Sequence, residues 1–414
     1  DELNYSGAKL RNTASNDDVN DFFRTGATFN NSISVSGGTE TVRTYFSYAN
    51  SYSDGMMRNN NYKRNTLSFR QSYSLFNKKL NVDLSLNYVQ AKTKNRPGGG
   101  TVMNPLYDLY RMPRNVDLNY YKENYYIENG KWTSNEQSYF DSKNNKWTTG
   151  TVELTGPKQE WAYWQNGMNN PYWMVNTRNS ISEEERAYGY ISANYQIIDG
   201  LKIQGRLSLD RTKMKGTSER MATTWNISAM EDYGMYGQDL NWINEVYVDA
   251  LLSYDKQIKD FSISATTGWT GHTLKGETQK LWAKATTANW KHDTMPTLIN
   301  FFEPSVSQGN VSERSYTLSS NWDKGLLFTG QIGWQEKVYL EGSYRRDWYR
   351  AFKQYSYRGT PTNYGYFSVG ANALLHQIVT LPEVITNLKV RASYSEVGNS
   401  IPNVLYNARN TDPL

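Results

Sequence analysis

Apolar and polar residues alternate along this chain with a period of two. In "LNVDLSLNYV", Leu80, Val82, Leu84, Leu86 and Tyr88 fall on one face, while Asn81, Asp83, Ser85 and Asn87 fall on the other. A strand has that period, so the pattern predicts strands with one oily and one wet side. The alternation returns in "LKIQGRLSLD" from Leu201, "FSISATTGW" from Phe261 and "LKVRASY" from Leu388. About twelve such segments recur, each roughly 10–13 residues long, where soluble strands typically have about 5–6. A strand of about 10 residues at about 3.3 Å each, tilted by about 45°, rises about 23 Å, which matches the apolar band of an outer-membrane barrel.

The connections alternate too. "GGTE" (Gly37 to Glu40), "LFNKK" (Leu75 to Lys79), "IDG" (Ile198 to Gly200), "QIKD" (Gln257 to Asp260) and "QEK" (Gln335 to Lys337) are tight. Between them lie longer stretches: Ser51 to Tyr62, residues 91–184, Thr212 to Asn241, residues 272–324, and Ala351 to Asn363. In an up-and-down meander, alternate connections share an end, so one rim carries tight turns and the other long loops. Outer-membrane barrels have this asymmetry, whereas a sandwich or propeller has no reason to repeat it. Lipid is therefore the expected cover of the oily face. The wet face agrees, because Arg64, Arg70 and Arg206 point opposite Leu67, Phe69 and Leu207, where charge is cheap only beside water or a polar stopper.

Composition adjusts this picture little. No apolar run approaches the roughly 18–20 residues a membrane helix needs, and "DELNYSGAKLRN" lacks the regions of a signal peptide. Mean hydropathy is −0.76, low as expected of barrel strands, which are apolar on one side only. A formal net charge of +5 without dense Lys/Arg runs gives no reason to expect a nucleic-acid partner. Zero Cys excludes disulfides and thiolate metal sites. The 33 Tyr and 13 Trp exceed what a soluble core needs. Residues 1–414 are thus read as one all-β, transmembrane antiparallel barrel segment, with long outer loops at 91–184 and 272–324. Twelve strands in an open sheet would leave two bare edges in hydrocarbon, so further strands are expected outside this segment.

Three passages resemble the SusC/RagA family of TonB-dependent outer-membrane transporters. Asp21 to Arg70 is similar to an early hairpin of that family, with a Ser-Gly-Gly-Thr-Glu turn and an Asn-Asn-Asn-Tyr-Lys-Arg strand start. Gly37 and Gly38 are expected to supply the positive φ of the turn. "YLEGSYRRDW" (Tyr339 to Trp348) is similar to the Arg-x-Asp strand end, and "LKVRASYSEVGNSI" (Leu388 to Ile401) to the Leu-Lys-x-Arg-x-Ser-Tyr signature. Trp348 and Tyr349 depart from the usual small pair, and Ser395 from the usual glycine. The resemblance implies a portion of a 22-stranded barrel whose plug and final strands have no counterpart here. It also implies a SusD-like surface lipoprotein as lid, energy from TonB through the plug, location in the outer membrane of a Gram-negative bacterium, and import of glycan or peptide oligomers.

Catalysis finds no support. His272, His292 and His376 fall in separate loops or turns, and no metalloprotease, nucleophile-elbow or phosphate-loop pattern is present. "SEEER" (Ser182 to Arg186) reads as a solvated rim, and "RPGGG" (Arg96 to Gly100) as a loop bend. "NDDVND" (Asn16 to Asp21) lacks calcium-loop spacing and reads as an exposed segment or helix cap. Neither metal nor cofactor is expected. Binding is more plausible: "QEWAYWQNGMNNPYWMVN" offers Trp161, Trp164, Asn169, Asn170 and Trp173, aromatics to stack on sugar rings and amides for hydroxyls. The competing reading is that these side chains pack the loop on itself or against the lid. Tyr88, Tyr195, Trp269, Tyr344 and Trp348 suit an interfacial girdle.

The expected function is active import of oligomeric nutrients, glycans foremost and peptides as the alternative. An adhesin, a passive porin and a soluble secreted carbohydrate-binding protein are the rivals. Detergent dependence separates the soluble rival from the rest, and a plug with a TonB-contact segment separates importer from adhesin.

Overall fold

The computed structural model describes residues 14–15, 19–98, 100, 103–141, 143–161, 168–226, 229–230, 234–284, 290–291, 311–354, 362–382 and 384–398. Twelve strands form one sheet in chain order. They are β1 (Ala27–Gly38), β2 (Val42–Asp54), β3 (Asn61–Leu75), β4 (Leu80–Lys94), β5 (Asn179–Ile198), β6 (Leu201–Arg220), β7 (Met235–Ile258), β8 (Phe261–Lys284), β9 (Val311–Trp334), β10 (Val338–Tyr349), β11 (Asn363–Leu374) and β12 (Lys389–Ser395). Every pairing is antiparallel, so the sheet is a pure meander with β1 and β12 at its edges.

The tight connections lie at one end, and their backbones are those of hairpin turns. Phe76, Asn77 and Lys78 have φ of 50°, 54° and 68°, and Gln335 and Glu336 have 51° and 57°. In the first turn the positive φ belongs to Gly38 alone, at 152°, and a Cβ there would lie 2.0 Å from the Val42 carbonyl oxygen. Gly37 is not needed for that conformation, contrary to expectation.

Register makes the two faces explicit. Leu67 stands opposite Tyr88, Phe69 opposite Leu86, Leu84 opposite Ile191, and Leu207 opposite Val248. These residues share the outward face with the expected girdle residues Tyr88, Tyr195, Trp269 and Tyr344, all more than a third exposed. Leu86 is 51% exposed and Leu326 50%, with no second sheet of the described residues across from them, so the oily face is left open to lipid. Among the described residues no helix is long and apolar enough to cross a membrane.

The strands run further out than alternation predicts. β7, β8 and β9 have 24 residues each, and β5 and β6 have 20. Thus 212–220 and 272–284, expected in loops, are strand, as are 311–324. Beyond the hydrocarbon both faces of a strand are wet, so Lys213, Lys215 and Glu183 sit on the face that carries Leu207 and Ile191 lower down, and the period-two signal disappears.

The only soluble-type core among the described residues belongs to the outer loop between β4 and β5. That loop carries α1 (Pro105–Arg111), α2 (Leu118–Glu123), a hairpin of Tyr126–Asp141 with Lys146–Gln159, and α3 (Pro171–Thr177). Phe22, Leu109, Val116, Leu118, Tyr121, Trp161, Tyr172 and Val175 pack together there. Phe22 comes from a 3-10 turn, Val19–Phe22, ahead of β1; of "NDDVND", Asn20 and Asp21 are exposed in that turn and Asn16–Asp18 lie outside the described residues.

Candidate translocation wall and outer loop

The loop is built from caps outward. Asn104 accepts from the Leu106 N–H at 3.1 Å at the start of α1, Asp117 from the Tyr120 N–H at 2.9 Å at α2, and Asn170 from the Tyr172 N–H at 2.8 Å at α3. Pro105 and Pro171 follow two of these caps, where a missing N–H costs nothing. "Asn-Pro" is therefore the local signal for helices in a stretch otherwise rich in aromatics and amides.

Four of the five expected ligand residues come together, and they do so in the loop interior. Trp161, Asn169 and Asn170 are 0% exposed and Trp173 is 1%. Trp164 lies outside the described residues. Asn169 accepts from the Trp225 N–H at 2.8 Å and the Gln159 amide at 3.2 Å, and donates to the Trp225 carbonyl at 3.1 Å. The Gln159 side-chain oxygen accepts from the Asn170 N–H at 3.0 Å, and Asn170 donates to the Glu160 carbonyl at 2.7 Å. The Trp173 indole N–H donates to Thr224 at 2.9 Å, and Trp161 meets Tyr121 edge-on at 5.1 Å. Thr223, Thr224 and Trp225 belong to the connection after β6, so these amides join two loops. Aromatic rings that do reach solvent on this loop include Tyr110, 68% exposed, with Tyr120 and Tyr126.

Among the described residues of the loop, burial displaces Asp108 and Lys158 furthest. Asp108, 1% exposed, accepts from the Asn169 N–H at 3.1 Å through Oδ2, while its buried Oδ1 has no partner among the described residues. Burial pushes its carboxyl up to about 7, against a smaller opposing pull from the Asn169 hydrogen bond and Arg111. Lys158 is pushed down to about 8 by burial, its ammonium donating to the Lys131 carbonyl at 2.6 Å.

The loop is tied to the wall by the asparagines that open β3. Asn59 donates to the Val175 carbonyl at 3.1 Å, and Asn60 to the Lys94 and Asn95 carbonyls at 3.0 and 3.1 Å. Asn95 returns a bond to the Asn59 carbonyl at 3.2 Å and accepts from the Ser180 N–H at 2.8 Å. Both ends of the loop are thus clamped at one point.

On the inward face lies a belt of paired charges that sequence reading left unassigned. Arg206 reaches Asp249 at 2.7 Å and stacks on Tyr247, and Gln204 donates to the same carboxylate at 3.1 Å. Arg186 grips Asp210 with two nitrogens. His272, expected in a loop, sits in β8 with Nδ1 2.8 Å from Asp323 and Nε2 2.8 Å from Glu245. Arg345 holds Asp347 at 2.8 and 3.0 Å, and Tyr366 donates to that carboxylate at 2.8 Å. A Cβ on Gly325 would lie 2.5 Å from Asp347 Oδ1 and 2.7 Å from Arg345 Nη2, so that glycine makes room for the pair. "SEEER" also lies within β5, but Glu183 on Lys92 at 2.7 Å and Glu185 on Lys213 at 3.9 Å pair on the opposite, outward face. Alternation puts Arg206 and Asp210 on the wet side, but their partners are 43 and 24 residues away and only register brings them together. His292 lies outside the described residues, and no cluster that would hold a metal ion occurs among those described.

No protein-family profile and no curated protein sequence matches this chain. Solved structures do. The RagAB peptide importer in its open-open state aligns over 95% of the chain with a TM-score of 0.68 and 19% identity. Its closed-closed state gives 0.65 over 94% with 18% identity, and a further structure of the RagAB peptide transporter 0.64 over 93% with 17% identity. The chain spans only 38–39% of those chains. The chain has the fold of part of the barrel in those RagAB structures.

Proposed function

We propose that this chain forms part of the barrel wall and the outer vestibule of a TonB-dependent importer of oligomeric nutrients. The observation carrying the reading is the combination of a lipid-facing meander in a RagA-like fold with a folded, clamped outer loop on one rim. The bare backbone of β1 and β12 is closed into a cylinder by further strands, since hydrocarbon leaves no other partner for it. Energy arrives from TonB through a plug, and a SusD-like surface lipoprotein covers the mouth. The belt charges are already neutralised by one another, so the wall is wetted without gripping whatever passes or moves inside it.

Peptide is the cargo class we favour, and it takes its support from the RagAB fold match. The glycan reading, foremost in the sequence, drew on Trp161, Trp164, Asn169, Asn170 and Trp173. The amides of Asn169 and Asn170 and the Trp173 indole N–H are bonded within the loop interior, where the Trp161 ring is also buried. Their proposed part in ligand binding is to fix the loop, so that Tyr110, Tyr120 and Tyr126 are offered in a set arrangement. No catalytic residue is proposed.

The test is uptake of labelled peptides and of labelled glycan oligomers by cells carrying the full-length protein, with and without TonB. TonB-dependent peptide uptake supports the proposal. Surface binding without uptake in either background would establish the adhesin instead, and TonB-independent flux the porin.

A further inference from the structure

The outward face is not uniform between β2 and β6. The outward positions of β5 are Ala193, Ile191, Gly189 and Ala187, mostly small, while Leu84 and Leu86 on β4 and Leu207 and Leu209 on β6 stand beside them. The result is a trough of about 540 Å³ along β5 whose lining includes Phe46, Leu67, Leu86, Gly189 and Leu207. Four strand spacings of about 4.8 Å separate β2 from β6, a width of about 19 Å, enough for acyl chains lying side by side.

Arg211 closes the outer end. It is exposed, lines the trough, stands directly opposite Ala187, and has no hydrogen-bond or ion-pair partner among the described residues. Lys213 and Lys215 follow on the same face of β6. Arg211 lies about ten residues along β6 from Leu201, about 33 Å of strand, which at a tilt of about 35–45° is about 23–27 Å above the turn end and so at the outer edge of the apolar band. Lys324 sits about ten residues along β9 from its own turn, but its ammonium is occupied over Trp322 at 5.4 Å. Arg211, unlike Lys324, thus presents an unengaged charge at the rim of the trough.

We propose that this trough is a binding site for a phosphorylated, multiply acylated glycolipid of the outer leaflet. Its acyl chains lie along β5 between Leu86 and Leu207, and Arg211 pairs with a phosphate in two-pronged fashion, supported by Lys215 and by Lys213, which is shared with Glu185 at 3.9 Å. A guanidinium matches phosphate geometry, and the apolar trough below it offers acyl chains a surface that a soluble anion would leave uncovered.

The full-length protein, delipidated in mild detergent, is titrated with diphosphoryl lipid A and with its dephosphorylated form, and binding is read by native mass spectrometry. The expected result is at least tenfold preference for the phosphorylated lipid, lost in the Arg211→Glu/Lys213→Glu double variant and kept in Lys324→Glu. Equal affinity of the wild-type protein for the two lipids would overturn the proposal, as would equal losses in the trough variant and in Lys324→Glu. Should the double variant fail to assemble, the wild-type preference decides alone.

Discussion

Asp108→Asn should abolish a pH dependence of outer-loop stability that the wild-type protein shows. The carboxyl has an ordinary value of 3.8 and stands at about 7 in the folded loop, a difference of roughly three units. Below 3.8 the group is protonated whether the loop is folded or open, and burial of the charged form costs nothing. As pH rises from there, the open loop releases the proton while the folded loop keeps it, so stability falls by about 1.4 kcal/mol per pH unit and levels off above about 7, after a total of about 4 kcal/mol. Between pH 5.5 and 8 the loss comes to about 2 kcal/mol, a factor of about 30 in the opening equilibrium. Asparagine keeps an oxygen for the Asn169 N–H but places an unpaired N–H₂ where Oδ1 was. It therefore lowers stability at acid pH by about 1–3 kcal/mol while removing the slope. Hydrogen exchange of peptides spanning 104–112 and 168–177, corrected for intrinsic rates, reads this directly. Equal corrected slopes in wild type and variant would refute the reasoning, because the carboxyl would then be solvated in the folded loop.

Other outcomes follow from the same geometry. Trp161→Ala with Trp164→Ala should lower ligand affinity while leaving barrel assembly intact by heat-modifiable gel mobility; unchanged uptake would confine these side chains to packing. Leu84→Arg, in the middle of the outward band of β4, should cost about 2–4 kcal/mol in folding into bilayers, whereas Asn87→Arg on the inward face should cost little. Equal losses would mean that the two faces are misassigned. Arg206→Ala leaves Asp249, 1% exposed, with Gln204 as its remaining hydrogen-bond donor among the described residues, and should destabilise the wall by about 3–5 kcal/mol; Arg206→Ala with Asp249→Asn should recover part of that loss in urea unfolding.

The strands were legible wherever two solvents met across them. Leu80 to Tyr88 reads cleanly because each residue faces either hydrocarbon or water. The outer halves of β6 to β9 were not legible, since Lys213 and Trp242 share an outward row there and no solvent contrast sorts them. Aromatic density marked the outer loop, but the fate of its rings depended on Thr224 and Trp225, some fifty residues away, which sequence spacing does not relate to Asn169 and Trp173. The inward belt was half visible: alternation gave the face of Arg206, and only register gave Asp249.

Asn169 touches Gln159, Asp108 and Trp225 at once, and through them fastens the excursion after β4 to the one after β6. The excursions beyond β4 and β6 thus form one hydrogen-bonded unit. Any gate on this side must swing as a whole about its asparagine clamp at residues 59–60, and not by the curling of separate loops.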